Sequence, residues 1–398
     1  MPTNLPPEAR AKWAKYLDAK TPEEKLRALE EYMSAIPKHK GTENLRAWVR
    51  RKMAELKEEI EERKARRAGT GGPTFFIEKS GAAQVIMLGL PNSGKSALLK
   101  ALTNAKPEIS PVPFTTKFPV PGMVVFEDIQ FQVIEAPSIV EGISKGAIWW
   151  GSRVLGLARN ADALLIVIDS SDNPVKQLRI IKDELENVGI HLRRPKGEVR
   201  ITKSKAIHGI KIISYGKLIG CTADDVRKLL EEYKIYNAEV KIVGEVTLED
   251  VEKAIFERIT YKPSLIALTK IDIAPKGMVE TFMREVGKVL PEVPVVPTSA
   301  VTGEGVREIP KAIFRVSGII RVYTKEPNSP KPSDRPMILK EGATVSDAVK
   351  EIREEFLRFF KYAKIWGPSA NYPGERVGLE HVLQDGDVIE IRTKIKGI

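Results

Sequence analysis

The residues with the clearest chemical capacity are Gly89-Leu90-Pro91-Asn92-Ser93-Gly94-Lys95-Ser96, directly behind the apolar run Val85-Ile86-Met87-Leu88 and ahead of Ala97-Leu98-Leu99. The order reads as strand, glycine loop, helix. At a helix N-terminus the first backbone N–H groups lack partners and the helix dipole favours negative charge, so such a loop is suited to holding phosphate. In the pattern G-x-x-x-x-G-K-[ST], Lys95 reaches the β- and γ-phosphates and the Ser96 hydroxyl ligates the Mg²⁺ that bridges them. Pro91, Asn92, Ser93, Gly94 and Ala97 complete the predicted phosphate-contacting set.

A phosphate loop does not choose a base. The run Pro263 to Leu268 ends in Thr269-Lys270-Ile271-Asp272, at what would be the C-terminal end of a buried parallel strand, where doubly wound sheets bind ligands. Asp272 can accept hydrogen bonds from guanine N1 and N2, with the Lys270 stem over the ring. Adenine offers no such donor pair, and an unpaired buried carboxylate costs about 1–3 kcal/mol. Further on, Val295 to Thr298 leads into Ser299-Ala300, whose backbone N–H groups can meet guanine O6. Ile273 and Val301 extend the predicted base site, and GTP or GDP is the expected ligand.

Two switch segments should lie between these sites. Pro111-Val112-Pro113-Phe114-Thr115-Thr116 offers two hydroxyls, one of which would complete the Mg²⁺ shell, and Thr116 is favoured over Thr115. Ile129 to Ile134 alternates as a strand and delivers Glu135-Ala136-Pro137-Ser138, where a GTPase normally carries D-x-x-G. The predicted metal ligands are Ser96, Thr116 and Glu135, and the predicted catalytic residues are Lys95, Thr116 and Asn92.

The elements that position these residues follow from local pattern. Ala161 to Asp169 is a central strand, and Asp172-Asn173-Pro174 starts the next helix. Roughly seventy residues then separate this strand pair, too many for a structureless connection. Residues 192–259 are read as an inserted α+β subdomain with helices capped by Thr222 and Thr247, between a first GTPase part (75–191) and a second (260–326). Its first half is basic, with Arg193, Arg194, Lys196, Arg200, Lys203, Lys205, Lys211 and Lys217, which suits either RNA phosphates or a solvated face. Few aromatics interleave these charges, which argues against base stacking. Residues 1–74 are read as a helical hairpin plus linker, with Thr21-Pro22-Glu23-Glu24 starting one helix and Thr42 the other. It packs on the GTPase domain or binds a partner or RNA. Ser317 to Ile320 is taken to close the GTPase domain, with Pro327 to Pro336 as linker and a last module at 335–398.

A chain of 398 residues implies two or three domains. No apolar run reaches the roughly 20 residues of a membrane span, and the single cysteine, Cys221, excludes an intramolecular disulfide and a multi-cysteine zinc site. A monomer in the reducing cytoplasm is expected. The net charge of +11 favours polyanionic partners.

The chain resembles the Obg-like GTPases, and within them the developmentally regulated GTP-binding proteins. The resemblance rests on Gly89 to Ser96, Phe114-Thr115-Thr116 with Pro121-Gly122, Ile139-Val140-Glu141-Gly142, and Tyr261-Lys262-Pro263 before Thr269-Lys270-Ile271-Asp272. The run Leu383-Gln384-Asp385-Gly386-Asp387-Val388-Ile389-Glu390-Ile391 looks like a TGS domain, a β-grasp module. The resemblance implies a doubly wound P-loop domain and a regulatory GTPase linked to ribosomes or structured RNA, with a small accessory protein as partner. It also implies K⁺ bound by Asn92 beside the phosphates. Two positions depart from the family: Glu135 stands for Asp, and Ser138 for Gly, which puts hydrolysis and switch motion in question. Ile139 follows where many GTPases carry a glutamine. An adaptor without turnover, and an ATPase or small-molecule kinase, are the competing readings.

Overall fold

The structure is a computed structural model. It describes residues 6–19, 21–37, 42, 45–46, 48–54, 56–57, 60, 75, 77–103, 118–148, 150–194, 196–203, 208–256, 259–326, 329 and 331–393. Strands β1 (Gln84–Gly89), β4 (Ala163–Asp169) and β10 (Ser264–Thr269) are buried on both faces, as continuous apolar runs in a parallel sheet require. With β2 (Val120–Phe126), β3 (Ile129–Glu135) and β11 (Val295–Pro297) they form a sheet in the order β11-β10-β4-β1-β3-β2. All pairs are parallel except β2 with β3.

Helices cover both faces. Lys95–Leu102 and Glu308–Ser317 bury Leu98, Leu99, Ile309 and Ile313 on one side. Gly151–Asn160, Pro174–Glu186 and Met278–Val289 bury Val154, Ile181 and Phe282 on the other. The result is the expected doubly wound layer structure. It aims the C-terminal ends of β1, β3, β4 and β10 at one edge.

The two-stranded pair β5 (Ile190–His191) and β9 (Thr260–Tyr261) brackets the inserted segment. Inside it, β6 (Gly197–Lys203), β7 (Ile210–Leu218) and β8 (Ala238–Val246) form a sheet in the order β6-β8-β7. Thr222 forms a capping box with Asp225 at helix Ala223–Glu232, and Thr247 bonds Asp250 at the start of Leu248–Phe256.

The N-terminal arm differs from the predicted hairpin. Helix α1 (Pro7–Asp18) precedes the capping-box helix α2 (Pro22–Ala35), and described residues between 45 and 60 are helical as well. The Thr42 hydroxyl donates to the Pro37 carbonyl at 2.5 Å. The apolar stripe is shared with the insert: Trp13, Leu29, Tyr32, Val49 and Leu56 lie in one core with Val226, Leu230, Val240 and Ile242. Trp13 stands 5.2 Å from Tyr32 and 5.6 Å from Trp48, ring centre to ring centre. A small three-stranded sheet with two helices covering it cannot exclude water alone, and the arm supplies the missing apolar layer. Toward the GTPase domain, the Arg51 guanidinium donates to the Asn187 carbonyl.

The C-terminal sheet runs β13-β12-β16-β14-β15, built from β12 (Ile319–Thr324), β13 (Met337–Lys340), β14 (Phe360–Trp366), β15 (Glu375–Val377) and β16 (Asp387–Thr393). Helix Val345–Ile352 packs on it through Val345, Ala348 and Val349. The sequence placed Ile319–Thr324 in the GTPase domain, but β12 pairs with β13 and β16. The boundary drawn at 326 to 335 therefore falls inside this module. β12 also carries Arg321, whose guanidinium donates to Asp385 Oδ2 at 2.8 Å and to Asp128 Oδ1 at 2.9 Å, and also to Glu127. Glu127 and Asp128 form the β2–β3 turn, so one arginine clips the last module to the nucleotide-binding domain. Among the described residues, no helix is long and apolar enough to cross a membrane.

Candidate nucleotide site

The loop after β1 has the geometry that its sequence predicts. Gly94 caps helix Lys95–Leu102 with φ +87°, and Asn92 sits at φ +61°. A Cβ on Gly89 would lie 2.5 Å from Ser93 Oγ and 2.6 Å from the Val167 carbonyl, so only glycine allows the loop to fold back over β1 and β4. Ser93 is buried, and its Oγ has no hydrogen-bond partner among the described residues.

Lys95 is buried at 5% exposure. Its ammonium donates to the Leu90 carbonyl at 2.8 Å, to Ser138 Oγ at 3.0 Å and to the Gly89 carbonyl at 3.2 Å. Burial pulls its pKa down to about 8, against the opposing charge of Glu135. The Ser96 hydroxyl donates to Glu135 Oε1 at 2.5 Å. Glu135 ends β3 at 1% exposure, and its extra methylene carries the carboxylate to Ser96 itself. Two hard oxygen ligands, a hydroxyl and a carboxylate, thus stand together at a helix N-terminus, a donor set that suits Mg²⁺.

Ser138 is not strained. Among the described non-glycine residues only Asn92, Glu127, Asn173, Lys234 and Lys270 have positive φ, so the freedom of glycine is not used at this position. Ile139, next along, is fully buried and its N–H donates to the Gly89 carbonyl at 3.0 Å. The first switch, with Pro111, Thr115 and Thr116, lies outside the described residues.

On the base side, Thr269 ties the two loops together. Its hydroxyl donates to the Ser93 carbonyl at 2.7 Å and the Ile168 carbonyl at 3.0 Å. Lys270, at φ +59°, extends its ammonium to Asp169 Oδ2 at 2.5 Å. Asp169 Oδ1 accepts from the N–H and the hydroxyl of Ser171, at 2.8 and 2.6 Å. Gln177 brackets the Asp169 backbone, accepting from its N–H at 3.0 Å and donating to its carbonyl at 3.1 Å. Sequence reasoning missed both residues. The signal available was an acidic residue ending the apolar run of β4, the strand beside β10.

Asp272 lies exposed in the short turn Ile271–Ile273, so the penalty for leaving it unpaired applies only when a base covers it. Ile273 is 63% and Val301 87% exposed. Ser299 departs from its predicted role. It is fully buried, its N–H donates to the Glu304 carbonyl at 2.9 Å, and its Oγ accepts from the N–H groups of Val301 and Thr302. It shapes the loop, and the Ala300 N–H is the donor left for a base. The Ile271 N–H meets the Thr298 carbonyl at 3.4 Å, which joins the two base loops.

Comparison with known proteins agrees with this geometry. Residues 84–201 match the family described as 50S ribosome-binding GTPase, residues 207–318 the C-terminal region of the same domain, and residues 320–393 the TGS domain. A GTP-binding protein of Methanocaldococcus jannaschii is 36% identical over 94% of this chain and 93% of its own. Developmentally-regulated GTP-binding protein 2 of Homo sapiens is 30% identical over 93% of this chain and 99% of its own, and the Dictyostelium discoideum homologue is 31% identical over the same shares. A phosphate loop, a lysine-aspartate base motif and a C-terminal β-grasp sheet, matched along nearly the whole length of these relatives, place the chain in the developmentally regulated family of GTP-binding proteins.

Proposed function

We propose that the chain binds GTP and GDP with Mg²⁺ and hydrolyses GTP slowly, as a regulatory GTPase working with the ribosome or structured RNA. The observation that carries this reading is the cluster of buried Lys95, Glu135 and Ser138 with half-buried Ser96 at the N-terminus of helix Lys95–Leu102. Phosphate would draw Lys95 away from its carbonyls and Ser138, and the loop N–H groups would face the same anion. Ser96 and Glu135 would hold Mg²⁺, which when bound neutralises the phosphate charge. Thr116 is the proposed further ligand. Lys270, held by Asp169, would lie along the base while Asp272 and the Ala300 N–H read its edge.

Ile139 is locked into the core and has no group to orient a water. The chain would then depend on a cation such as K⁺ near Asn92, or on a partner, for speed. Support for a ribosomal or RNA setting comes from the net charge of +11, the TGS module and the description of the matched GTPase family. The Lys95–Ser138 bond favours a second reading, an adaptor that binds nucleotide with negligible turnover, because a lysine engaged by the second switch is withheld from the γ-phosphate.

Single-turnover hydrolysis in matched K⁺ and Na⁺ buffers, with wild type and the Glu135→Asp, Ser138→Gly double variant, separates these. Turnover by wild type that K⁺ accelerates supports the enzyme; equal rates in the two buffers remove K⁺ from it. GTP bound but intact in wild type, and hydrolysed by the double variant, supports the adaptor.

A further inference from the structure

We propose that the cleft along the open edge of β6 is a docking site for an extended, acidic segment of a partner protein, which joins the inserted sheet as a fourth strand. Among the described residues β6 pairs only with β8, on one side. A cavity of about 1340 Å³ is lined by every residue from Gly197 to Lys203 and reaches Val243 and Gly244 of β8. An unpaired strand edge presents a row of N–H and C=O groups at the spacing of another strand, and extended peptides bind such edges by main-chain hydrogen bonds.

The walls select what kind of strand. Arg159, Arg194, Lys196, Arg200 and Lys203 line the cavity against a single carboxylate, Glu198, which already pairs with Arg200 at 3.1 Å. Among the described residues Arg194, Lys196 and Lys203 have no ion pair, and Arg194 lies over the Tyr261 ring at 5.7 Å. Ala254, Ile255 and Ile259 add an apolar stretch to the same lining. An extended chain puts alternate side chains on opposite sides, so one row of carboxylates can meet the Arg200 side of the sheet while the other row, apolar, lies on the side of Val199, Ile201 and Ile255. A nucleic acid strand would answer the cations but has neither an apolar row nor a backbone in register with a strand edge. This inference is independent of whether the chain hydrolyses GTP.

The test is fluorescence anisotropy on the full-length protein with a labelled peptide of alternating glutamate and valine. The same peptide N-methylated at every backbone amide keeps its charge but has no N–H to donate along either edge. The unmodified peptide should bind, with the methylated one weaker by roughly tenfold or more, and the Arg194→Glu, Lys196→Glu variant weaker by about tenfold. GDP affinity should stay unchanged in that variant, which controls for folding. Hydrogen exchange should slow at the amides of Gly197–Lys203. Equal binding of the methylated peptide would overturn the proposal. So would displacement of the peptide by oligouridylate at lower concentration, which would make the cleft an RNA site. Binding of neither would leave the cations as guards against edge pairing and would overturn it as well.

Discussion

Binding of GDP at pH 8 should draw protons from the buffer, and the amount follows from Lys95. Lys95 is 5% exposed, and burial pulls its pKa to about 8. Before binding, about half of the chains at pH 8 would carry a neutral Lys95. A phosphate at the loop favours the charged form, so binding should complete its protonation, with uptake of about 0.5 proton per nucleotide at pH 8 and about 0.1 at pH 7. Isothermal titration calorimetry in buffers of different ionisation enthalpy reads this as the slope of observed heat against buffer heat. The Lys95→Arg variant keeps its charge throughout and should show no slope from this site. A zero slope for wild type at pH 8, or an equal slope in Lys95→Arg, would refute the reasoning. The same shift sets a stability trend without nucleotide. Between about 8 and the ordinary lysine value of 10.5 the unfolded chain binds more protons than the folded one, so stability rises with pH across that window.

Three further outcomes are expected. Asp169→Asn removes the charge that holds Lys270 at 2.5 Å, and GDP affinity measured by titration should fall roughly tenfold, about 1.4 kcal/mol; an unchanged affinity would deny Asp169 a positioning role. Arg321→Ala leaves Glu127, Asp128 and Asp385 facing one another and should lower stability by about 2 kcal/mol in thermal melts, with Arg321→Lys recovering only part because it cannot bond in a fork. Burial alone would raise Asp128 and Asp385, but hydrogen bonds from Tyr323 and Arg321 hold Asp128 below the usual range, and those from Arg321 hold Asp385 there. Their contribution is thus present above the ordinary carboxylate value and lost as pH falls through the lower folded values, so acidification should undock the C-terminal module, read as a larger radius of gyration by small-angle scattering. Trp13→Ala should cost about 3 kcal/mol or more in the core that joins arm and insert, loosening both in hydrogen exchange while GDP affinity is kept; loss of GDP binding would contradict that division.

Much of the local structure of the candidate site was legible because its determinants are local. Gly89 to Ser96 are consecutive, their glycines answer backbone demands within the loop, and β1, β4 and β10 announce themselves as apolar runs. The caps at Thr21, Asn173 and Thr222 were legible for the same reason, since each cap bonds within three residues of itself. Glu135 and Ser138 could be named as departures from a pattern, but what they do depends on where β3 delivers them.

Contacts across long stretches of chain were decided by the tertiary structure. Lys95 meets Ser138 across 43 residues and Lys270 meets Asp169 across 101, distances over which no periodicity carries information. Strand pairing is likewise non-local, which is why β12 could be read with the GTPase domain although its partners are β13 and β16. Tyr261 and Arg194 are nearly seventy residues apart, yet β5 and β9 close the insert at its base and bring them to the same cleft. The apolar stripe of the N-terminal arm was visible in sequence, but a stripe states only that a face is to be buried. Its partner, the insert, was chosen by which exposed apolar layer the rest of the fold left to cover.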